Sequence, residues 1–160
     1  MHEFGVPNMK ITFLGTGTSQ GVPVIGCECD VCKSEDDRNS RLRTSILLQI
    51  GEKSIVVDTG PDFRQQMLRE GIKELDAIVF THEHKDHVAG LDDIRAFNFK
   101  LKKSIDVYAS KRVQEALIRE FPYIFAKHKY PGVPSINLKT ISKSSSFKVE
   151  SILQGYIHVL

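Results

Sequence analysis

The amino-acid sequence predicts a layered α/β domain, and three observations lead to that class. Strand patterns and helix patterns alternate through the middle of the chain, β-rich segments lie at both ends, and no internal repeat or interdomain linker interrupts them. The 160 residues include 41% hydrophobic side chains, which suffice for one core and leave little room for two. We therefore expect a single domain over residues 1–160.

The N-terminal part is predicted to contain three strands and a long loop. Residues 10–14 alternate and are rich in β-branched and aromatic side chains, which is typical of a strand. A glycine-containing loop follows and continues to about Arg41. Residues 44–50 and 54–58 are two further strands, and the turn at 51–53 between them indicates a hairpin.

The rest of the chain is predicted to alternate between helices and strands. Pro61 begins a helix that extends to residue 70, with Gly71 as its C-terminal stop. The wholly apolar segment 77–80 indicates a buried strand. The elements that follow are a helix over 91–99, a strand over 105–109, a helix over 111–121 between Ser110 and Pro122, a loop over 123–135, and strands over 136–141, 147–153 and 156–160.

Charge and hydropathy exclude several classes of protein. The 22 basic and 20 acidic residues give a net charge of +2, which is too balanced to indicate a nucleic-acid or membrane partner. No apolar run approaches the roughly 20 residues that cross a bilayer. Residues 1–8 lack the charged and apolar regions of a secretory signal. We expect a cytoplasmic protein with no membrane partner.

The chain has three cysteines, and all of them lie close together, at Cys27, Cys29 and Cys32. An odd number at this spacing does not form a disulfide framework. In a reducing compartment such a cluster indicates metal binding or a reactive thiol. Three free cytosolic thiols are the alternative interpretation.

The segment that follows the apolar strand carries the strongest functional pattern. Of the six histidines, three lie here, at His82, His84 and His87, together with Asp86. A side-chain period of two places the first two histidines on one side of an extended chain, and a bend directs the last two ligands to a second centre. Imidazole and carboxylate together suit Zn, Mn or Fe. Catalytic loops follow the carboxyl ends of strands in α/β domains, so the location also favours a catalytic site over a polar surface loop.

The spacing of residues 82–87 is HxHxDH, which resembles the signature of the metallo-β-lactamase superfamily. Segment 55–60 resembles the strand-end Asp motif of that superfamily, and segment 155–158 resembles the strand that carries a later ligand. The glycine loop 14–23 and the Cys-x-Cys-x-x-Cys segment 27–32 are similar to the phosphodiesterase branch. That branch contains phosphoribosyl 1,2-cyclic phosphate phosphodiesterase and is related to ribonuclease Z.

The resemblance covers essentially the whole chain and implies an αββα sandwich with a mono- or binuclear metal site. The last ligands of the family would lie beyond Leu160, so the chain is expected to be the N-terminal half of that fold. This expectation implies an incomplete second metal site and weak or absent turnover. It also implies an exposed sheet edge and apolar face, which favour a homodimer.

The resemblance also implies ligand sets for two divalent metals (Zn, Mn or Fe). The first metal would be held by His82, His84 and His158. Asp86 and His87 would contribute to the second. Asp86 would in addition orient the attacking water or accept its proton.

Three further assignments concern residues outside that loop. By resemblance, Asp58 would support the metal site without being a ligand. Also by resemblance, Cys27, Cys29 and Cys32 would hold a separate structural zinc. This ion would stabilise a long loop that has few apolar side chains of its own to bury. From its side-chain chemistry, Arg43 is a candidate for bidentate contact with a substrate phosphate, and an exposed structural arginine is an equal alternative.

The predicted function is that of a metal-dependent hydrolase. We expect a phosphodiesterase that acts on a small cyclic phosphate, or a related small-molecule phosphodiester, through a metal-bound hydroxide. An RNA 3′-processing nuclease, a lactonase and a thioesterase are the alternatives within the superfamily, and the balanced charge makes nucleic acid the less favoured partner. A non-catalytic metal-binding module or an inactive fragment is the alternative of another class.

Overall fold

The computed structural model describes residues 8–142, and its framework is a six-stranded mixed sheet. The strands lie side by side in chain order: β1 Met9–Gly15, β2 Ser45–Ile50, β3 Lys53–Val57, β4 Ala77–Val79, β5 Ile105–Ala109 and β6 Ile136–Thr140. The first three pair antiparallel, and β3 to β6 pair parallel. The helices are α1 Phe63–Arg69, α2 Lys85–Val88, α3 Arg95–Leu101, α4 Lys111–Glu120 and α5 Pro122–Phe125. The predicted mixed α/β class is confirmed.

The main core lies on one face of the sheet, between the strands and the helices. Cross-strand pairing places Leu47 beside Val56, Val56 beside Ile78, and Ile78 beside Val107. These side chains are buried in one cluster with apolar residues of the helices and connecting segments, among them Phe63, Met67, Leu91, Ile94, Phe97, Val113 and Leu117. The parallel strands therefore have one face fully covered, as expected for α/β packing.

The opposite face of the sheet carries a second, smaller apolar cluster. Its buried members are Ile55, Ala77, Val79, Tyr108 and Ile141. The same face continues across β1, where the side chains of Met9, Ile11 and Phe13 are exposed. The apolar surface expected from the sequence is thus present along β1, and a homodimer through it stays a prediction that sedimentation velocity would test.

Within the described residues, most predicted elements are confirmed to within two residues. The helix after Pro61 is one of these and begins at Phe63, because residues 61 and 62 form a turn. Two predictions differ more. The segment predicted as a helix over 91–99 starts as a 3₁₀ helix, Ala89–Ile94, and only then becomes α3. The Gly90 N–H donates to the carbonyl of Thr59 at 2.8 Å, which holds this segment against the loop after β3.

The loop predicted over 123–135 contains a short helix, α5, that the sequence analysis missed. Pro122 was interpreted as the end of α4, and it also occupies the first turn of α5. Its fixed φ is compatible with a helix start, and its missing N–H needs no partner there.

Two sequence predictions fall outside the described residues. They are the strands over 147–153 and 156–160 and, with the second of these, the ligand candidate His158. In the part of the chain that the structure describes, no helix combines the length and the apolar character that a membrane span requires.

Candidate metal centre

Asp58 lies directly after β3, at the carboxyl end of the sheet, and is 3% exposed. Its backbone N–H donates to the carbonyl of Val79 in the neighbouring parallel strand at 2.9 Å. Its φ is +63°, a left-handed conformation that is uncommon for residues other than glycine. Such strain persists where the surroundings hold it, and it is concentrated at functional sites.

The Asp58 carboxylate accepts hydrogen bonds from the loop after β4. The Thr81 N–H donates to Oδ1 at 2.9 Å, and the Thr81 hydroxyl donates to Oδ2 at 2.6 Å. His87 Nδ1 lies 2.7 Å from the same Oδ2. Because an ionised carboxylate only accepts, His87 donates through Nδ1, and its Nε2 keeps the lone pair that a metal would need. Asp58 therefore sets the orientation of His87.

Thr81 orients a second histidine. Its hydroxyl proton is committed to Asp58, so its oxygen is free to accept from His82 Nδ1, which lies 3.0 Å away. His82 then also presents Nε2 as its unprotonated nitrogen. Sequence reasoning assigned no role to Thr81, and its position immediately after a buried strand was the only signal.

The imidazole of His82 lies against those of the other two histidines of the loop. The ring centroid of His82 is 4.7 Å from that of His84 and 3.9 Å from that of His87. Asp86 Oδ2 lies 3.2 Å from His87 Nε2, so these two candidate ligands face each other. Burial, followed by the charge of the neighbouring His87, lowers the pKa of His82 and favours the neutral imidazole, which is the metal-binding form.

Two glycines permit the close approach of the loops that carry these side chains. A Cβ on Gly60 would lie 2.1 Å from the carbonyl oxygen of Asp86, and one on Gly90 would lie 2.2 Å from the carbonyl oxygen of Gly60. The Thr59 N–H also donates to the carbonyl of His87 at 2.8 Å. The backbone after β3 thus packs directly against α2, which fixes where Asp86 and His87 lie.

The cysteines form a separate cluster on the long loop between β1 and β2. The sulfur atoms of the three cysteines all lie within 4.8 Å of one another. Among residues 8–142, this is the one group of three or more ligand-type side chains whose donor atoms lie that close together. Cys27 and Cys29 are exposed, and their sulfur atoms are 3.4 Å apart. The backbone N–H of Cys32 and the thiol of Cys27 lower the pKa of Cys29 to about 7, so a thiolate is accessible near neutral pH.

Arg43 is engaged with other protein groups. Its Nη1 donates to Asp62 Oδ1 at 2.9 Å, its backbone N–H donates to Asp62 Oδ2 at 2.8 Å, and its Nε donates to the Ser19 carbonyl at 2.8 Å. These bonds tie the glycine loop and the strand β2 to the start of α1. They favour the structural alternative, and contact with a substrate phosphate stays a prediction.

The fold and the 82–87 loop define a class of protein. It is an α/β domain that has histidine and carboxylate side chains at the carboxyl ends of its parallel strands. Residues 53–155 match the family model described as the beta-lactamase superfamily domain. The match covers more than half of the chain, and the protein belongs to this superfamily.

Three relatives place the chain within the superfamily. The octanoyltransferase of Porphyromonas gingivalis is 43% identical over 145 residues, which are 90% of this chain and 29% of that protein. The ribonuclease Z of a Bradyrhizobium species is 34% identical over 100 residues, which are 61% of this chain and 28% of that protein. The crystal structure of a new diphosphatase from the PhnP family is 42% identical, with a TM-score of 0.77 over 85% of this chain and 51% of that one.

The chain spans from 28% to 51% of the length of these three relatives. Their names describe whole proteins, of which this chain resembles one part. The protein named octanoyltransferase is matched over 29% of its length.

Proposed function

We propose that this protein is a metal-dependent hydrolase whose substrate is a phosphodiester of small size. The observation that carries the proposal is the orientation of His82 and His87, whose Nδ1 atoms are both held by the Asp58 and Thr81 network. Side chains held in this way present Nε2 in a defined direction, as metal-ligating histidines do.

The residues of the loop fit a divalent metal by their donor chemistry. Imidazole nitrogens and a carboxylate within one segment suit Zn, Mn or Fe. His82 and His84 would contribute to one ion, with His158 as a further proposed ligand, and Asp86 and His87 to the other. When bound, such ions supply hydroxide at neutral pH and polarise the phosphoryl oxygen.

The protein groups around the ions would hold and move protons. The Asp86 carboxylate, half-buried and 3.2 Å from His87 Nε2, would orient a water molecule and accept its proton. Asp58 is buried behind the histidines, where it would keep His87 in one tautomer. Asp86 would therefore act on the water molecule, and Asp58 would orient a metal ligand.

Two of the three relatives support phosphorus chemistry. A diphosphatase and a ribonuclease both break bonds between phosphorus and oxygen, and they are 42% and 34% identical over 85% and 61% of this chain. The chain carries no excess of charge that would favour a long nucleic acid, since its net charge is +2. A small phosphodiester is the substrate class that agrees with both observations.

We also propose that the cysteine cluster holds a structural zinc. Three sulfur atoms within 4.8 Å of one another provide most of a tetrahedral site, and the lowered pKa of Cys29 favours the thiolate that zinc requires. Elemental analysis of the purified chain and of Cys29→Ser would test this assignment. The variant should lose one equivalent of zinc and keep the metal of the histidine loop, and equal zinc content in both would contradict it.

The central experiment combines metal analysis with a phosphodiester assay. We expect the chain to bind Zn, Mn or Fe, with binding reduced in His84→Ala, and its hydrolysis of bis-p-nitrophenyl phosphate to be weak and to be lost in the same variant. His128→Ala is the matched control, because His128 is an exposed histidine outside the loop. Metal binding without hydrolysis by a full-length version would favour a non-catalytic metal-binding module, and unchanged metal binding in His84→Ala would contradict the proposed centre.

A further inference from the structure

A groove with a volume of about 560 Å³ lies between α1 and α3, on the helical side of the sheet. Its lining includes none of the residues of the 82–87 loop and none of the cysteines. The side chains of Phe63, Met67 and Phe97 form its buried floor, while Leu68 and Phe99 are 63% and 66% exposed. An apolar floor with exposed apolar edges is unusual on a surface that meets only water.

The side chains that line this groove carry an excess of positive charge. Four cationic side chains line it, and they are Arg64, Lys73, Arg95 and Lys100. A single acidic side chain, Asp93, lines it as well. This local excess contrasts with the near balance of the chain, whose net charge is +2. The groove therefore complements a ligand that is apolar along its length and negatively charged.

The cations are arranged so that one end of the groove attracts an anion more than the other. Lys100 Nζ donates to the backbone carbonyl of Lys73 at 2.7 Å, which joins the end of α3 to the segment after α1 and holds the Lys100 ammonium at this end of the groove. At the opposite end, Arg95 pairs with Asp92 at 3.3 Å, and Asp93 reduces the positive charge further. The anionic group belongs at the lysine end.

We propose that this groove binds one molecule of an amphipathic anion, with an unbranched alkyl or acyl chain on the apolar floor and a carboxylate or phosphate beside Lys73 and Lys100. The volume of 560 Å³ falls within the range of about 300–1,000 Å³ that small-molecule sites occupy. A peptide helix fits less well. α1 and α3 have seven residues each and are therefore about 10 Å long, which is no more than the width of a helix with its side chains.

Titration of the chain with monomeric decanoate, followed by amide chemical shifts, tests the ligand class. We expect saturable shifts confined to α1, α3 and the segment around Lys73. Decanol and decyltrimethylammonium have the same chain with no charge and with the opposite charge, and both should bind more weakly. Equal binding of all three ligands, or shifts spread over the surface, would show hydrophobic adsorption only and would overturn the proposal.

Paired variants test the location. Lys73→Gln combined with Lys100→Gln should weaken decanoate binding by about fivefold or more, as the loss of two surface ion pairs implies. Its control is Lys10→Gln combined with Lys111→Gln, which removes the same net charge elsewhere. Leu68→Gln should also weaken binding, and Ile118→Gln on the exposed side of α4 should not. Circular dichroism verifies that each variant folds.

Two results would assign the surface to another kind of partner. Binding to phosphatidylglycerol vesicles without binding of monomeric decanoate would identify a membrane contact. Binding of an acidic amphipathic peptide with no response to decanoate would identify a protein partner. Either result, or equal effects of the two lysine pairs, would overturn the proposal, and none of these outcomes depends on the metal site.

Discussion

His87 Nδ1 lies 2.7 Å from Asp58 Oδ2, although 29 positions separate the two residues in the chain. The contact forms because β3 and β4 are parallel neighbours, so the loops after their carboxyl ends meet. It joins a buried carboxylate with strained backbone to an imidazole of the candidate metal loop.

Replacing Asp58 by Asn should weaken metal binding without unfolding the protein. The amide tolerates the left-handed φ of +63° but does not offer His87 a charged acceptor. We expect affinity for zinc to fall by about 10–100-fold, as for other residues that orient metal ligands. Isothermal titration calorimetry measures this change. Asp106→Asn, in β5, is the control, and equal affinity in the two variants would rule out an orienting role for Asp58.

Thr81→Val should also weaken metal binding, by a separate route through His82. The substitution keeps the shape of the side chain and removes the hydroxyl that lies between Asp58 and His82 Nδ1. We expect zinc affinity to fall by about tenfold, at the lower end of such effects. Thr81→Ser restores the hydroxyl, so its affinity should return close to that of the parent chain. Failure of the serine variant to recover would mean that packing, and not the hydrogen bond, matters at this position.

Gly60→Ala should destabilise the fold and disturb the metal loop together. The added Cβ would lie 2.1 Å from the carbonyl oxygen of Asp86, so the backbone of α2 must move. We expect a loss of about 1–3 kcal/mol in the free energy of unfolding, measured in urea, as for other overpacked sites. Gly51→Ala is the comparison for backbone strain without overpacking, because Gly51 has a φ of +58° and the Cβ built there meets nothing within 4 Å. It should lose stability and keep its metal affinity, and an unchanged metal affinity in Gly60→Ala would show that close packing at Gly60 does not position the metal loop.

Asp76→Asn should reduce stability in a pH-dependent way. Burial by itself raises the pKa of Asp76, but the Ser54 N–H and the ammonium groups of Lys53 and Lys103 lower it below its usual value of 3.8. The folded protein therefore releases this proton more readily than the unfolded chain. The resulting stabilisation is fully present above the unfolded-state pKa of about 4 and is lost as the pH falls through the lower folded-state value.

At pH 7 the Asp76→Asn variant should be less stable than the parent by about 1–3 kcal/mol, since hydrogen bonds to a charged group are lost. The difference should shrink as the pH is lowered below about 4. Urea unfolding at pH 7, 5, 4 and 3 measures it. A constant difference across this series would show that the charge of Asp76 contributes nothing.

Local sequence patterns predicted the framework because they depend on neighbouring residues. The β2–β3 hairpin follows from two strand patterns around a turn, and β5 has the bounds that the sequence predicts, 105–109. The segment around Gly90 was predicted less well. The Gly90 N–H in this segment donates to the carbonyl of Thr59, which is distant in the chain, and a local pattern does not contain such a contact.

The sequence by itself determined the kinds of side chain at the site. The HxHxDH spacing and the cysteine cluster are properties of adjacent residues, and they were sufficient to propose metal chemistry. Tertiary structure decided how those side chains are held. The Asp58 carboxylate reaches His87 and Thr81 only because parallel strands bring distant loops together, and the groove between α1 and α3 exists only because two separate helices pack side by side. Hydrogen bonds and cavities of this kind depend on contacts between residues that are distant in the sequence.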